Sequence, residues 1–192
     1  MEITEVIQRL KDGNSRFVAD KLDGKLQNSK RRQSLTGGQS PYAVVLGCAD
    51  SRIIPELVFD TGLGEIFTVR VAGNVANSSS IASIEYAVTH LKTRVIVVLG
   101  HESCGAVAAA IDGGDNGYHL NHLLAHITPA IELLKGQDNS IITKKNAELA
   151  ASDLESRSQI LAEAVKTGQI KIFPAYYYLA SGEVEFLGSL NK

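Results

Sequence analysis

Three short runs, Tyr42–Gly47, Ile66–Val71 and Arg94–Leu99, are almost continuously apolar and rich in β-branched residues. A strand lying on a surface alternates apolar and polar positions, whereas a strand with apolar side chains on both sides has to be covered on both faces. These runs therefore predict strands at the centre of a sheet that is sandwiched between helices. Between the second and third runs, Ile81, Ile84, Val88 and Leu91 recur at helical spacing, and Ser78, Ser79 and Ser80 are candidate N-caps. Strand, helix, strand in that order predicts right-handed crossovers. The fold class is α/β, with a mostly parallel central β-sheet flanked by helices.

The remaining chain fits around that centre. Ile3, Val6, Ile7, Leu10 and Phe17 mark an amphipathic helix over residues 3 to 19, with Asn14 intruding on its face. Such a helix needs a surface to cover. From Asp20 to Ser40 the composition turns polar, with Gly24, Gly37 and Gly38, and periodicity disappears, which reads as a loop. Leu120, Leu123, Leu124 and Ile127 predict a helix interrupted near Pro129. Ala147, Ala150, Leu154, Leu161 and Val165 predict another that ends near Gly168. Ile170–Ala175 and Val184–Leu187 read as strands around a Ser181-Gly182 turn. With 192 residues, 44% of them hydrophobic, the chain reads as one domain, 1–192, with an N-terminal helical arm over about residues 1–40.

A net charge of −2 offers no electrostatic reason to expect nucleic acid or an anionic membrane as a partner. Only local basic clusters occur, such as Lys30-Arg31-Arg32, which reads as a solvated loop. The apolar runs fall far short of the roughly 20 residues that cross a bilayer. The opening Met-Glu-Ile-Thr-Glu has no basic or apolar leader pattern, and two cysteines are too few for a secreted disulfide framework. The expected location is the reducing cytoplasm.

Those two cysteines sit in the stretches that carry the chemistry. Cys48-Ala49-Asp50-Ser51-Arg52 follows the first apolar run, and His101-Glu102-Ser103-Cys104 follows the third. Taken singly, each cysteine reads as a small buried apolar residue. Taken together at strand ends, where open α/β sheets place their sites, they make a two-thiolate, one-imidazole set with an aspartate at its edge. Structural zinc sites normally recruit four Cys or His ligands, and here the fourth is missing, so the set reads as an open, catalytic zinc site. His119, His122 and His126 also share one helical face, but no cysteine or carboxylate nearby completes a second site, and the face reads as exposed or interfacial.

The two motifs, in this order and at this separation, resemble the β-class carbonic anhydrases. So do Gly13-Asn14-Ser15-Arg16-Phe17, Gly38-Gln39-Ser40-Pro41, Arg70 leading to Gly73-Asn74, and Ile84-Glu85-Tyr86-Ala87-Val88, so the resemblance spans nearly the whole chain. It implies a zinc enzyme (a carbonate dehydratase, a carbon-oxygen lyase) that reversibly hydrates carbon dioxide to bicarbonate and a proton by attack of zinc-bound hydroxide. Zn²⁺ would be held by Cys48, His101 and Cys104. Asp50 and Arg52 would form a catalytic dyad, with Asp50 a possible fourth ligand in a closed state. Gln39, Phe67 and Tyr86 would line the substrate pocket, partly across a subunit interface, and the Gly105 amide would donate into it. The implied assembly is a homodimer or a higher homo-oligomer, with the N-terminal arm packed on a partner subunit. Hydrolysis of carbon disulfide or carbonyl sulfide on the same scaffold, and a non-catalytic zinc-dependent assembly protein, are the alternatives. Two thiolate ligands place negative charge on the metal, so activity is expected to favour alkaline pH. The family's common Arg-Asn is replaced here by Arg70-Val71, and Val45 stands where some bacterial members carry the tryptophan of an inhibitory bicarbonate site.

Overall fold

The computed structural model describes residues 1–188. The first half runs α1 (Ile3–Val18), α2 (Ser29–Ser34), β1 (Ala43–Gly47), α3 (Pro55–Val58), β2 (Ile66–Arg70), a 3-10 turn (Ala72–Asn74), α4 (Ser78–Thr89) and β3 (Val95–His101). The second half runs α5 (Gly105–Asp112), α6 (Tyr118–Leu124), α7 (Thr128–Leu133), α8 (Asn139–Ser156), α9 (Gln159–Lys166), β4 (Lys171–Tyr177) and β5 (Val184–Phe186). The strands form one sheet in the order β2-β1-β3-β4-β5, parallel throughout except for β5, which runs antiparallel to β4.

Every residue of β1 and β3 is buried, as their unbroken apolarity predicts. Period-two alternation then divides their side chains between two layers. Val44, Leu46, Ile96 and Val98 pack with residues of α4, α8 and α9, whereas Val45, Val97 and Leu99 pack with residues of α1, α5 and α7. Each such aliphatic side chain contributes roughly 1.5–3 kcal/mol relative to exposure, so the sheet is stable only with both layers in place. The run Ile66–Val71 departs from expectation. It forms the edge strand β2, half-buried at Phe67, Thr68 and Val69 and exposed at Arg70. Apolar content alone does not distinguish a central strand from an edge strand whose open side awaits a partner.

The expected arm lies on its own chain. Val6 and Leu10 of α1 are buried in the same cluster as Val58, Phe59 and Val95. Close approach is possible because position 13 is glycine: a Cβ there would stand 1.9 Å from the Phe59 carbonyl oxygen. Asn14, which breaks the helix's apolar face, turns out to be a pin. Its Nδ2 donates to the Val58 and Gly182 carbonyls at 3.1 and 2.8 Å, and its Oδ1 accepts from the Val184 N–H at 2.9 Å. Buried amides persist where their hydrogen bonds are made, and this one fastens α1 to α3 and to the β4–β5 hairpin.

Several boundaries are set by caps rather than by periodicity. The segment 20–40, expected as loop, contains α2, held by the Asn28 side chain accepting from the Arg31 N–H at 3.0 Å. None of its residues is buried, so there was no apolar face to read. At α4 the N-cap is Asn77, which accepts from the Ser80 N–H, and not one of the three serines. The single helix expected up to Gly168 is two, because Ser158 caps α9 by accepting from the Leu161 N–H at 3.1 Å. Pro129 lies in the first turn of α7, where its missing N–H costs nothing, so it starts a helix as well as ending one. Among the described residues, no helix is long and apolar enough to cross a membrane.

Candidate metal centre

Parallel pairing of β1 with β3 in the register Gly47↔Leu99 brings the two motifs side by side at the C-terminal edge of the sheet. Cys48 follows β1, His101 is the last residue of β3, and Cys104 is the N-cap of α5. The turn back from His101 to Cys104 passes through Ser103 at φ 52°, a left-handed conformation that costs a non-glycine residue on the order of 1 kcal/mol. In return, one ligand atom from each of Cys48, His101 and Cys104 lies within 4.8 Å of the others, and all three residues are buried.

The hydrogen bonds prepare these atoms for a metal. His101 Nδ1 lies 2.9 Å from the Glu102 carbonyl, which can only accept, so Nδ1 carries the proton and Nε2 holds the lone pair. That Nε2 is fully buried and has no partner in the protein. An orphaned buried acceptor facing two thiols is what a metal site lacks when the metal is not counted. The Cys48 thiol is pulled below its ordinary range by a hydrogen bond from Cys104, with further help from backbone N–H groups, that of Gly73 at 3.2 Å among them. Sharing that proton, together with burial, pushes Cys104 up. Two sulfurs and one imidazole nitrogen suit Zn²⁺, and the residues present fit it.

Asp50 stands at the rim of this triad, with Oδ2 3.9 Å from His101 Nε2. Arg52 grips the carboxylate through three donors: its backbone N–H and Nε on Oδ1, both at 2.9 Å, and Nη2 on Oδ2 at 2.7 Å. These bonds hold the Asp50 carboxyl well below the usual carboxylate range. Nη2 also donates to the Ser103 carbonyl at 3.1 Å, tying the first motif to the second.

The supports of the centre were largely invisible in the sequence. Arg70, paired with Gly47 in the sheet register, donates to the carbonyls of Cys48, Asp50 and Ile53 at 2.9, 2.7 and 2.9 Å. Its guanidinium thus organises the backbone of the first motif. The Glu102 side chain accepts from the Leu179 N–H at 2.9 Å, which anchors the His101 loop to the residues after β4. Asn146 on α8 donates to the Gly73 carbonyl at 2.8 Å and so steadies the turn whose N–H meets Cys48. An arginine ending a strand beside the motif strand is the only one of these signals a reader of the sequence had.

The other expected site residues are divided. Gly105 is the first residue of α5, directly after Cys104 and with open space around it. Gln39, Phe67 and Tyr86 are elsewhere. Gln39 precedes β1, and Phe67 pairs with Val44, near the start of that strand. Tyr86, 47% exposed, has its ring 6.4 Å from that of Phe67. At about 3.3 Å per residue, the length of β1 puts Gln39 more than roughly 16 Å from Cys48 along the strand direction. One chain does not bring these three side chains to its own metal triad. Among the described residues, no second group of three metal-ligating side chains converges; His122 and His126 meet only edge to face, with rings 5.8 Å apart.

Comparison with known proteins agrees with this geometry. The sequence profile of the carbonic anhydrase family matches residues 43–184. A carbonic anhydrase of Mycolicibacterium smegmatis is 42% identical over 189 residues, covering 95% of this chain and 92% of that protein. Carbonic anhydrase 2 of Mycobacterium tuberculosis is 39% identical over 193 residues, covering 95% and 93%. A tetrameric β-carbonic anhydrase from Sordaria macrospora shares the fold with a TM-score of 0.76 at 23% identity, covering 96% of this chain and 98% of that one. A Coccomyxa β-carbonic anhydrase, solved with acetazolamide, superposes with a TM-score of 0.76 at 22% identity, covering 99% and 88%. With two thiols and an imidazole converging at the strand ends beside an arginine-clamped aspartate, and with relatives of this identity along nearly its whole length, the chain belongs to the carbonic anhydrase family, in its β class.

Proposed function

We propose that the chain hydrates carbon dioxide reversibly to bicarbonate and a proton, with one Zn²⁺ held by Cys48, His101 and Cys104. The observation that carries this is the convergence of those three buried ligands beside a carboxylate that already has a guanidinium partner. When bound, zinc supplies a Lewis acid that makes water nucleophilic near neutral pH. The rest of the work falls to side chains. Arg52 keeps Asp50 ionised, so the carboxylate can only accept a hydrogen bond. Placed beside the metal ligands, Asp50 would accept a hydrogen bond from the O–H of the nucleophile, whose other proton leaves to solvent as the proton product, and so keep its lone pair directed at the carbon of an apolar substrate. Gly105, at the first turn of α5, offers its N–H to an oxygen of the product as charge develops there.

The separation of Gln39, Phe67 and Tyr86 from the metal triad supports a pocket completed by a second copy of the chain. The partner's Phe67 and Tyr86 would supply an apolar wall for carbon dioxide, and the partner's Gln39 a donor to the bicarbonate-like oxygen. The half-covered edge strand β2, which carries Phe67, is where such a pair would meet. A mixed-dimer experiment checks this. Gln39→Ala and Cys104→Ser homodimers should each be poorly active, whereas dimers mixed from the two should recover one working site, joining the metal of the first chain to the Gln39 of the second. Failure of mixing to raise activity would count against a shared pocket.

The function itself is tested by metal analysis with stopped-flow assays. We expect close to one zinc per chain and rapid hydration of carbon dioxide that rises with pH, with little turnover of carbon disulfide or carbonyl sulfide. Zinc-loaded protein that turns over only the sulfur compounds would reassign the substrate.

A further inference from the structure

The metal triad occupies one end of the sheet; a basic cavity occupies the other. It measures about 340 Å³ and opens where β1, β2 and β3 begin, with residues of α1 and α2 on its walls. Strands of five to seven residues, at about 3.3 Å each, separate it from Cys48 and His101 by roughly 16–23 Å. It therefore lies apart from its own chain's metal triad, and none of Gln39, Phe67 and Tyr86, the residues assigned to the shared pocket, lines it. Four cationic side chains line it, Arg9, Arg31, Lys92 and Arg94, against a single carboxylate, Glu65.

That carboxylate is already committed. One Glu65 oxygen is paired with Arg9, and the other accepts the Gly62 N–H at 2.6 Å. Arg94 meets Glu2 at 3.3 Å, but the Glu2 side chain is 73% exposed and the pair is well screened. Neither Arg31 nor Lys92 has a carboxylate within ion-pair distance among the described residues, and Arg31 spends only its Nε, on the Leu63 carbonyl at 2.8 Å. Two positive charges thus remain uncompensated around one concavity, in a chain whose net charge is −2. A cation just after α4 is partly explained by the negative end of that helix, but this accounts for Lys92 alone. Two hydroxyls, those of Ser40 and Tyr42, also line it, beside apolar residues such as Val6 and Leu91. Arg9 lies 4.4 Å above the Tyr42 ring, and burial pushes the Tyr42 hydroxyl up to about 12, so it remains a donor at any physiological pH.

We propose that this cavity binds a phosphate group, either as inorganic phosphate or carried by a small monoester. A planar guanidinium fork, an ammonium and neutral hydroxyl donors match a tetrahedral dianion, and the two spare charges match its charge. At about 340 Å³ the cavity is at the small end of ligand pockets and has room beyond a bare ion for the rest of a monoester. The site is independent of the hydration chemistry and stands whether or not that assignment holds.

Calorimetric titration of the zinc-loaded protein tests it, in a zwitterionic buffer with azide present to block the metal. The probes are inorganic phosphate and glycerol 3-phosphate. Each should bind saturably at one site per chain and displace the other, and bicarbonate should bind more weakly. The double variant Arg31→Ala/Lys92→Ala should lose about tenfold or more in phosphate affinity, while hydration in phosphate-free buffer is unchanged. Arg32→Ala, an exposed cation outside this cavity, should leave the affinity as it was. No saturation below about 10 mM, unchanged affinity in the double variant, equal loss in Arg32→Ala, or preference for bicarbonate would each overturn the proposal.

Discussion

Cys104→Ser protein is expected to be purified nearly free of zinc and to hydrate carbon dioxide no faster than buffer. Three protein ligands are the minimum for a catalytic zinc site, and a serine hydroxyl is far too weak an acid to replace a thiolate. Loss of the metal removes several kcal/mol of transition-state stabilisation, and about 4 kcal/mol already corresponds to a rate lower by about 10³-fold. The substitution also affects Cys48, whose thiol is pulled down chiefly by the hydrogen bond from Cys104. Zinc content by atomic spectroscopy, far-ultraviolet circular dichroism and stopped-flow hydration form the needed set. A folded Cys104→Ser protein with full zinc and full activity would remove the triad from consideration.

Arg52→Ala separates the metal from its carboxylate. Zinc should stay near one per chain, since no ligand is altered, while turnover should fall roughly 10²-fold, the scale of losing a residue that orients a site's reacting groups. The cause is local. Asp50 loses all its side-chain donors from Arg52, keeping only the backbone N–H at position 52, and its Oδ2 already stands 3.9 Å from the metal-facing nitrogen of His101. Released, the carboxylate would be drawn toward the positive charge of a bound metal, where it would compete with water. Such competition has a pH signature: raising the pH strengthens water as a competitor, so the defect should shrink in alkaline buffer. Arg52→Lys, which keeps the charge but not the bidentate fork, should rank between the two. An equal loss at every pH, or loss of zinc with the arginine, would show that Arg52 acts otherwise.

Asp50 itself gives the sign of one further dependence. Its carboxyl is held below the usual range, so the stabilisation from its bond to Arg52 is fully present above the unfolded value near 3.9 and disappears only as pH falls through the depressed folded value. The carboxylate is therefore ionised throughout the range in which the enzyme would work. A fall in activity toward neutral pH cannot come from protonation of Asp50.

Much of the fold and of the metal centre was legible because each rests on information that is local in the chain. Unbroken apolar runs gave β1 and β3 their central places, and 3.6-residue spacing gave α1 and α4. The convergence of Cys48, His101 and Cys104 was legible for the same reason: each motif follows a strand end within a few residues, so parallel pairing was enough to unite them. Capped segments without an apolar face, such as α2, left no periodic trace. The division of the 139–166 stretch depended on one serine hydroxyl at position 158.

The use made of distant polar groups follows from packing and not from local patterning. Nothing near Arg70 in sequence says that its guanidinium will hold three carbonyls of the Cys48 loop, or that Asn14 will pin a hairpin more than 160 residues away. Nor does the sequence say that Arg9, Arg31, Lys92 and Arg94 will surround one cavity, since they come from α1, α2 and the loop between α4 and β3. Hydrophobic periodicity is written along the chain because a helix or strand presents its own face to the core. The partners of buried polar and charged groups are chosen only when elements from distant parts of the chain exclude water between them. Local patterning therefore accounts for the α/β layers and for the meeting of Cys48, His101 and Cys104, whereas packing alone accounts for which residues hold that cluster in place and where the spare positive charge collects.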